Sequence, residues 1–132
     1  MTYFLDTNIC IHFLKGDFPI LLSNFKRHKA SIIKISAIVA AELRFGAEKS
    51  IKKTENHAKI KEFLKPFSIV PFDDKSASVY AEIRTACEKI DKPVGPNDLL
   101  IAATVMAANG TLVTRNRSEF SSIKGLNITD WT

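Results

Sequence analysis

Two kinds of apolar run alternate along this chain. Short runs rich in β-branched or aromatic side chains stand at residues 3–5, 31–35, 68–72 and 111–114, and read as buried strands. Longer stretches between them carry apolar residues at helical spacing. Ile9, Ile11, Phe13 and Leu14 form a short helix that stops near Gly16. Pro19 opens a second helix at its first position, with Ile20, Leu21, Leu22 and Phe25 as its stripe. Ser36 caps a helix reaching about residue 50, a lysine-rich helix covers 51–65, and Asp73 caps another that reaches about residue 90. After the turn Pro93-Val94-Gly95-Pro96, residues 97–108 form a helix apolar nearly all round, ended by Asn109-Gly110, and residues 127–130 make a short edge strand. Strands alternating with helices predict a three-layer α/β fold: a central, mainly parallel sheet of four or five strands with helices on both faces. Sites in such sheets form beyond the carboxyl ends of the strands.

Composition narrows the class. With 45% apolar and 25% charged residues and five each of glycine and proline, the 132-residue chain is neither disordered nor fibrous. No linker, repeat or low-complexity tract interrupts it, so residues 1–132 are expected to form a single domain. The apolar stretches fall far short of the ~20 residues of a membrane span, and no leader pattern opens the chain. Cys10 and Cys87 fit no metal-ligand spacing and read as free, small apolar residues of a reducing cytoplasm. The net charge of +5 is local: residues 26–41 carry Lys26, Arg27, Lys29 and Lys34 with no acid, and residues 44–65 carry seven basic residues against three acidic. That pattern suits a polyanionic partner, with a solvated helix face as the plainer alternative for 44–65.

Three acids keep unusually apolar company. Asp6 follows Tyr3-Phe4-Leu5 directly, Glu42 interrupts Ala37-Ile38-Val39-Ala40-Ala41 and Leu43, and Asp98 is the sole charge between Lys92 and Arg115. A buried, unpaired carboxylate costs several kcal/mol, so each needs a proton, a cation or a cap role. Asp6 and Asp98 could cap the helices they adjoin, and Glu42 could pair with a lysine or arginine of a neighbouring helix. Taken together, the three lie where strand and helix ends converge, with no dedicated cation beside them. Oxygen-only clusters of this kind bind Mg²⁺ or Mn²⁺, whereas zinc selects His and Cys. His12, His28 and His57 show no ligand spacing. Phosphate-binding glycine loops, the Gly-x-Ser-x-Gly elbow and His-Glu-x-x-His are absent. An aspartyl-nucleophile phosphatase needs a second Asp where Asn8 stands.

The ordered set Phe4-Leu5-Asp6-Thr7-Asn8, Ser36 to Glu42-Leu43 and Gly46-Ala47, Gly95-Pro96-Asn97-Asp98 with Ile101-Ala102-Ala103, and Leu112-Val113-Thr114 with Asn116 and Glu119-Phe120 resembles the PIN-domain nucleases. Gly125-Leu126, Ile128 and Asp130-Trp131 resemble the tail of their VapC-type toxins. The resemblance spans essentially the whole chain. It implies a metal-dependent endoribonuclease toxin using Mg²⁺ or Mn²⁺, acting on structured RNA such as tRNA, homodimeric, and silenced by a VapB-type antitoxin. It maps Asp6, Glu42 and Asp98 onto the family's acidic positions. Many PIN domains carry a fourth acid near Asn116; here Glu119 is expected to supply it if that stretch begins a helix. Asn8 and Thr114 are expected to support Asp6, and Arg115, Arg117, Lys26, Arg27, Lys29 and Lys34 to contact RNA. A non-catalytic RNA-binding domain, which Asn116 favours, and a DNA-directed or structure-specific nuclease of the same fold stay open.

Overall fold

Successive residues of a strand point to opposite faces, so a strand buried on both sides must lie inside a sheet covered twice. Phe4 and Leu5 are both buried, and the computed structural model, which describes residues Met1–Thr132, places their strand at the centre of a five-stranded sheet. The strands are β1 (Tyr3–Leu5), β2 (Ile33–Ser36), β3 (Ser68–Val70), β4 (Thr111–Val113) and β5 (Asn127–Thr129). The helices are α1 (Thr7–Lys15), α2 (Pro19–Arg27), α3 (Ala37–Glu48), α4 (Lys53–Leu64), α5 (Asp74–Lys89), α6 (Pro96–Ala107) and the single turn α7 (Arg117–Phe120). Every strand pairing is parallel, in the order β3-β2-β1-β4-β5. No helix is long and apolar enough to cross a membrane.

That order has a consequence for function. From β1 the chain first builds outward through β2 to β3, then crosses back to lay β4 and β5 on the other side. The connections above β1 and β4 therefore diverge, and a crevice opens at their carboxyl ends. β1 and β4 are in direct register, Leu5 opposite Val113, and Asp6 donates its N–H to the Val113 carbonyl at 3.0 Å. Asp6 and Thr114 thus emerge side by side at the crevice.

The expected elements form with trimmed ends. Residues 31 and 32 belong to a 3-10 turn (Ala30–Ile32) rather than to β2, because β1 offers its first partner to Ile33, opposite Tyr3. β3 stops at Val70 because Pro71 has no N–H to continue the ladder. Gly16, at φ +74°, ends α1, and its N–H reaches back to the His12 and Phe13 carbonyls. α6 buries Leu99, Ile101, Ala102, Ala103, Thr104 and Val105, as its nearly all-round apolar sequence requires. Cys10 and Cys87 are free and buried.

Gly110 lets β4 sit this close to β1: a Cβ there would lie 2.6 Å from the buried Phe4 ring. Gly110→Ala is expected to destabilise the fold by about 1–3 kcal/mol through overpacking, read as a lowered thermal midpoint. An unchanged midpoint would show that the β1–β4 seam has slack.

Candidate active site

Asp6 is the first residue past β1 and the N-cap of α1, but it does not cap in the ordinary way. Ser36 and Asp73 accept from the third residue beyond them, Val39 N–H at 3.1 Å and Ser76 N–H at 2.9 Å, which is where a capping oxygen belongs. Asp6 instead accepts from its immediate neighbour, Thr7 N–H, at 2.8 Å. Its other oxygen accepts from the Thr114 hydroxyl at 2.8 Å, across the β1–β4 crevice. Thr114 is fully buried and Asp6 is 5% exposed. The carboxylate is thus fixed at both oxygens and faces the crevice.

Asp98 is not a cap at all. Gly95 is the N-cap of α6, Pro96 its first residue, and Asp98 stands in the first turn with no backbone donor bound to it. Glu42 accepts from the Thr7 hydroxyl at 2.8 Å, which draws α3 toward α1. It pairs with no lysine or arginine. Glu119 lies in α7, where Asn116 is the N-cap residue. It is held by the Gly95 N–H at 2.9 Å and by the Asn116 side-chain amide at 2.7 Å. Asn116, itself neutral, therefore orients a fourth acid, Glu119, beside Asp98.

The four carboxylates repel one another. Burial raises the pKa of Asp6 most, partly offset by the donors Thr114 and Thr7, and the charges of Glu42 and Glu119 raise it further. Burial first, then Glu119, Asp6 and Glu42, push Asp98 up to about 7. Glu119 moves the other way, because the Gly95 N–H favours its charged form. Of the two, Asp98 is therefore the one that takes a proton as pH falls toward neutral, beside a charged Glu119. None of the chain's five ion pairs touches these four acids. Their donor set is oxygen only, acidic and without an internal cation, which fits Mg²⁺ or Mn²⁺ in kind. No three of them close on one point as a finished ligand cage.

Other expected residues divide. Asn8 is exposed and makes no hydrogen bond to Asp6; Thr7, beside it, is the residue that ties Asp6's helix to Glu42. Arg115 and Arg117 flank the crevice past β4, where the carboxylate that feels them is Asp130. Lys26, Arg27 and Lys29 are not brought to the acids: they immediately precede β2 and so lie at the sheet's amino edge. Lys34 is inside β2, half-buried. Parallel strands of about four residues hold the two edges roughly 13 Å apart. Sequence reading missed Thr7 and the Gly95 N–H. A hydroxyl next to an acid gives little signal, and a backbone donor gives none.

A parallel sheet with its strand order reversing at β1, and acids from the head of α1 and from α3, α6 and α7 around the switch crevice, defines the class: an α/β domain with an acidic pocket that no lysine or arginine answers. The PIN domain family model matches residues 3–126. The chain is 41% identical to ribonuclease VapC2 of Rickettsia felis, over 99% of this chain and 98% of that one. It is 32% identical to the tRNA(fMet)-specific endonuclease VapC of Shigella flexneri, over 100% and 99% of the two chains. It superimposes on a chain of the DNA-bound VapBC complex of Salmonella typhimurium with a TM-score of 0.95 at 32% identity, covering 100% of this chain and 99% of that one. The chain belongs to the PIN-domain family and, within it, to the VapC toxins of VapBC systems.

The repulsion has a measurable sign. Asp98 has an ordinary pKa of 3.8 when exposed and about 7 when folded, so between those values the folded chain holds a proton that the unfolded chain lacks. Its contribution to stability is therefore present at low pH and lost as pH rises through about 7. In EDTA, Asp98→Asn is expected to melt above the wild type at pH 8, with the gap closing toward pH 5. A gap of equal size at both pH values would contradict the repulsion.

Proposed function

We propose that this protein is an endoribonuclease toxin that hydrolyses phosphodiester bonds of structured RNA, tRNA foremost, in the cytoplasm with Mg²⁺ or Mn²⁺. The observation that carries the reading is the crevice itself: four carboxylates in mutual repulsion with no lysine or arginine to answer them. The names of the relatives, ribonucleases and a tRNA(fMet)-specific endonuclease, support the substrate class. The Salmonella typhimurium VapBC complex supports a VapB-type antitoxin as partner, and a homodimer is part of the same proposal.

Asp6 and Asp98, with Glu42 and Glu119, would hold the cation. A divalent ion bound there supplies Lewis acidity, lowering the pKa of water and offsetting charge that develops on the phosphate. The chain's own residues prepare the pocket. Thr114 and Thr7 N–H aim Asp6 and partly offset the cost of its burial. The Gly95 N–H and Asn116 keep Glu119 charged beside Asp98. The Thr7 hydroxyl fixes Glu42 at the far wall. Because each acid is anchored by a donor or sits on a helix embedded in the core, little reordering is needed when phosphate and cation arrive.

Two measurements on the antitoxin-free protein test this. With tRNA and Mg²⁺, cleavage is expected, to be abolished by EDTA and restored by excess Mg²⁺ or Mn²⁺, and Asp6→Asn or Asp98→Asn should lower the rate more than about 100-fold, a loss of several kcal/mol of transition-state stabilisation. Thr114→Val, which removes the hydroxyl that supports Asp6 and accepts the Asn116 N–H, should cost about 10–100-fold in activity or cation affinity. Cleavage that survives EDTA, or that Asp98→Asn leaves at the wild-type rate, would overturn the assignment.

A further inference from the structure

Arg115 leaves β4 directly after Thr114, whose hydroxyl binds Asp6, so its backbone stands one residue from the acidic crevice. A free guanidinium there would fold onto the carboxylates. It does not. Its carbon lies 4.3 Å from the centroid of the Phe18 ring, on the turn between α1 and α2. The side chain is exposed and makes no ion pair. Asp130, the carboxylate that feels its charge, is itself occupied by the Thr132 N–H and hydroxyl.

The ring that holds Arg115 is itself held. Phe18 has φ +54° and ψ 92°, a backbone conformation a bulky residue adopts only when its surroundings impose it. His12 from α1 packs edge-on against the ring with centroids 4.9 Å apart, and His12 is bound to Asp17 at 2.9 Å. His12 also shares a face of α1 with the exposed Asn8, one turn nearer Asp6. A rim thus runs from the acidic crevice past Asn8 and His12 to the Phe18–Arg115 pair. Contact through a ring face satisfies the cation's charge in part but leaves its N–H donors unspent. Paired donors in a fixed plane are suited to phosphate oxygens.

We propose that Arg115, seated on Phe18, binds a phosphate of the RNA strand flanking the bond cleaved at the acidic crevice. Phe18 is then a positioning residue that keeps the guanidinium off the carboxylates. This inference rests on the ribonuclease reading above and adds a substrate contact to it.

The test is steady-state cleavage of tRNA with Mg²⁺ over a series of KCl concentrations. Arg115→Ala is expected to raise KM about tenfold, the scale of a charged hydrogen bond, with kcat within about twofold. It should also flatten the slope of log(kcat/KM) against log[KCl] by about one, as the loss of one phosphate contact does. Arg115→Lys should keep the salt slope but not the full affinity. Phe18→Leu should raise KM with the slope retained, and Phe18→Tyr, which keeps the ring, should restore it. Lys89→Ala, an equal loss of charge on α5, is the control and should leave KM unchanged. A wild-type KM and slope for Arg115→Ala, an equal effect of Lys89→Ala, or failure of Phe18→Tyr to restore KM overturns the inference. A wild type that cuts no RNA overturns the ribonuclease reading instead.

Discussion

Negative charge gathered at the edge of a hydrophobic core must be answered by something, and here the fold supplies donors but no cation. Asp6, Glu42, Asp98 and Glu119 receive hydrogen bonds from Thr7, Thr114, Gly95 and Asn116, or sit at the start of a buried helix, yet none meets a lysine or arginine. Donors of this kind stabilise a carboxylate and aim it without neutralising it. The chain carries 19 basic residues, so their absence from the crevice is a feature of placement rather than of composition. The central sheet makes the arrangement possible. Reversal of strand order at β1 opens a gap at the strand ends, and the buried side chains of Phe4, Leu5 and α6 pack beneath it.

Much of this was legible in the sequence, for identifiable reasons. A charged residue in an apolar run is conspicuous, which is why Asp6, Glu42 and Asp98 stood out. Alternating strand and helix patterns named the fold class. What the sequence left open was decided by one-residue geometry. Whether Asp6 is a cap or a site residue turns on which N–H its oxygen meets, and whether Asp98 caps depends on where α6 begins relative to Pro96. Glu119 reaches the pocket because Asn116 starts a helical turn there. Lys26, Arg27 and Lys29 show a limit of charge counting: clustering in sequence says nothing of which sheet edge they occupy, and the path from β1 to β2 delivers them to the edge away from the acids.

The structure divides the work between two surroundings. Inside the crevice, backbone N–H groups and hydroxyls from three separate connections hold the acids, so their positions follow from the fold itself. At the rim, Phe18 and Arg115 stand on a turn and a strand end, elements that can vary without disturbing the sheet.

The most direct measurement is anomalous diffraction from crystals of the antitoxin-free protein soaked in Mn²⁺. A Mn²⁺ peak bordered by Asp6 and Asp98 is expected, with oxygen ligands only, about 2.0–2.3 Å away, and it should be lost in Asp6→Asn. No peak in the crevice, or a peak that persists when Asp6 loses its charge, would contradict the claim that these carboxylates await a divalent cation.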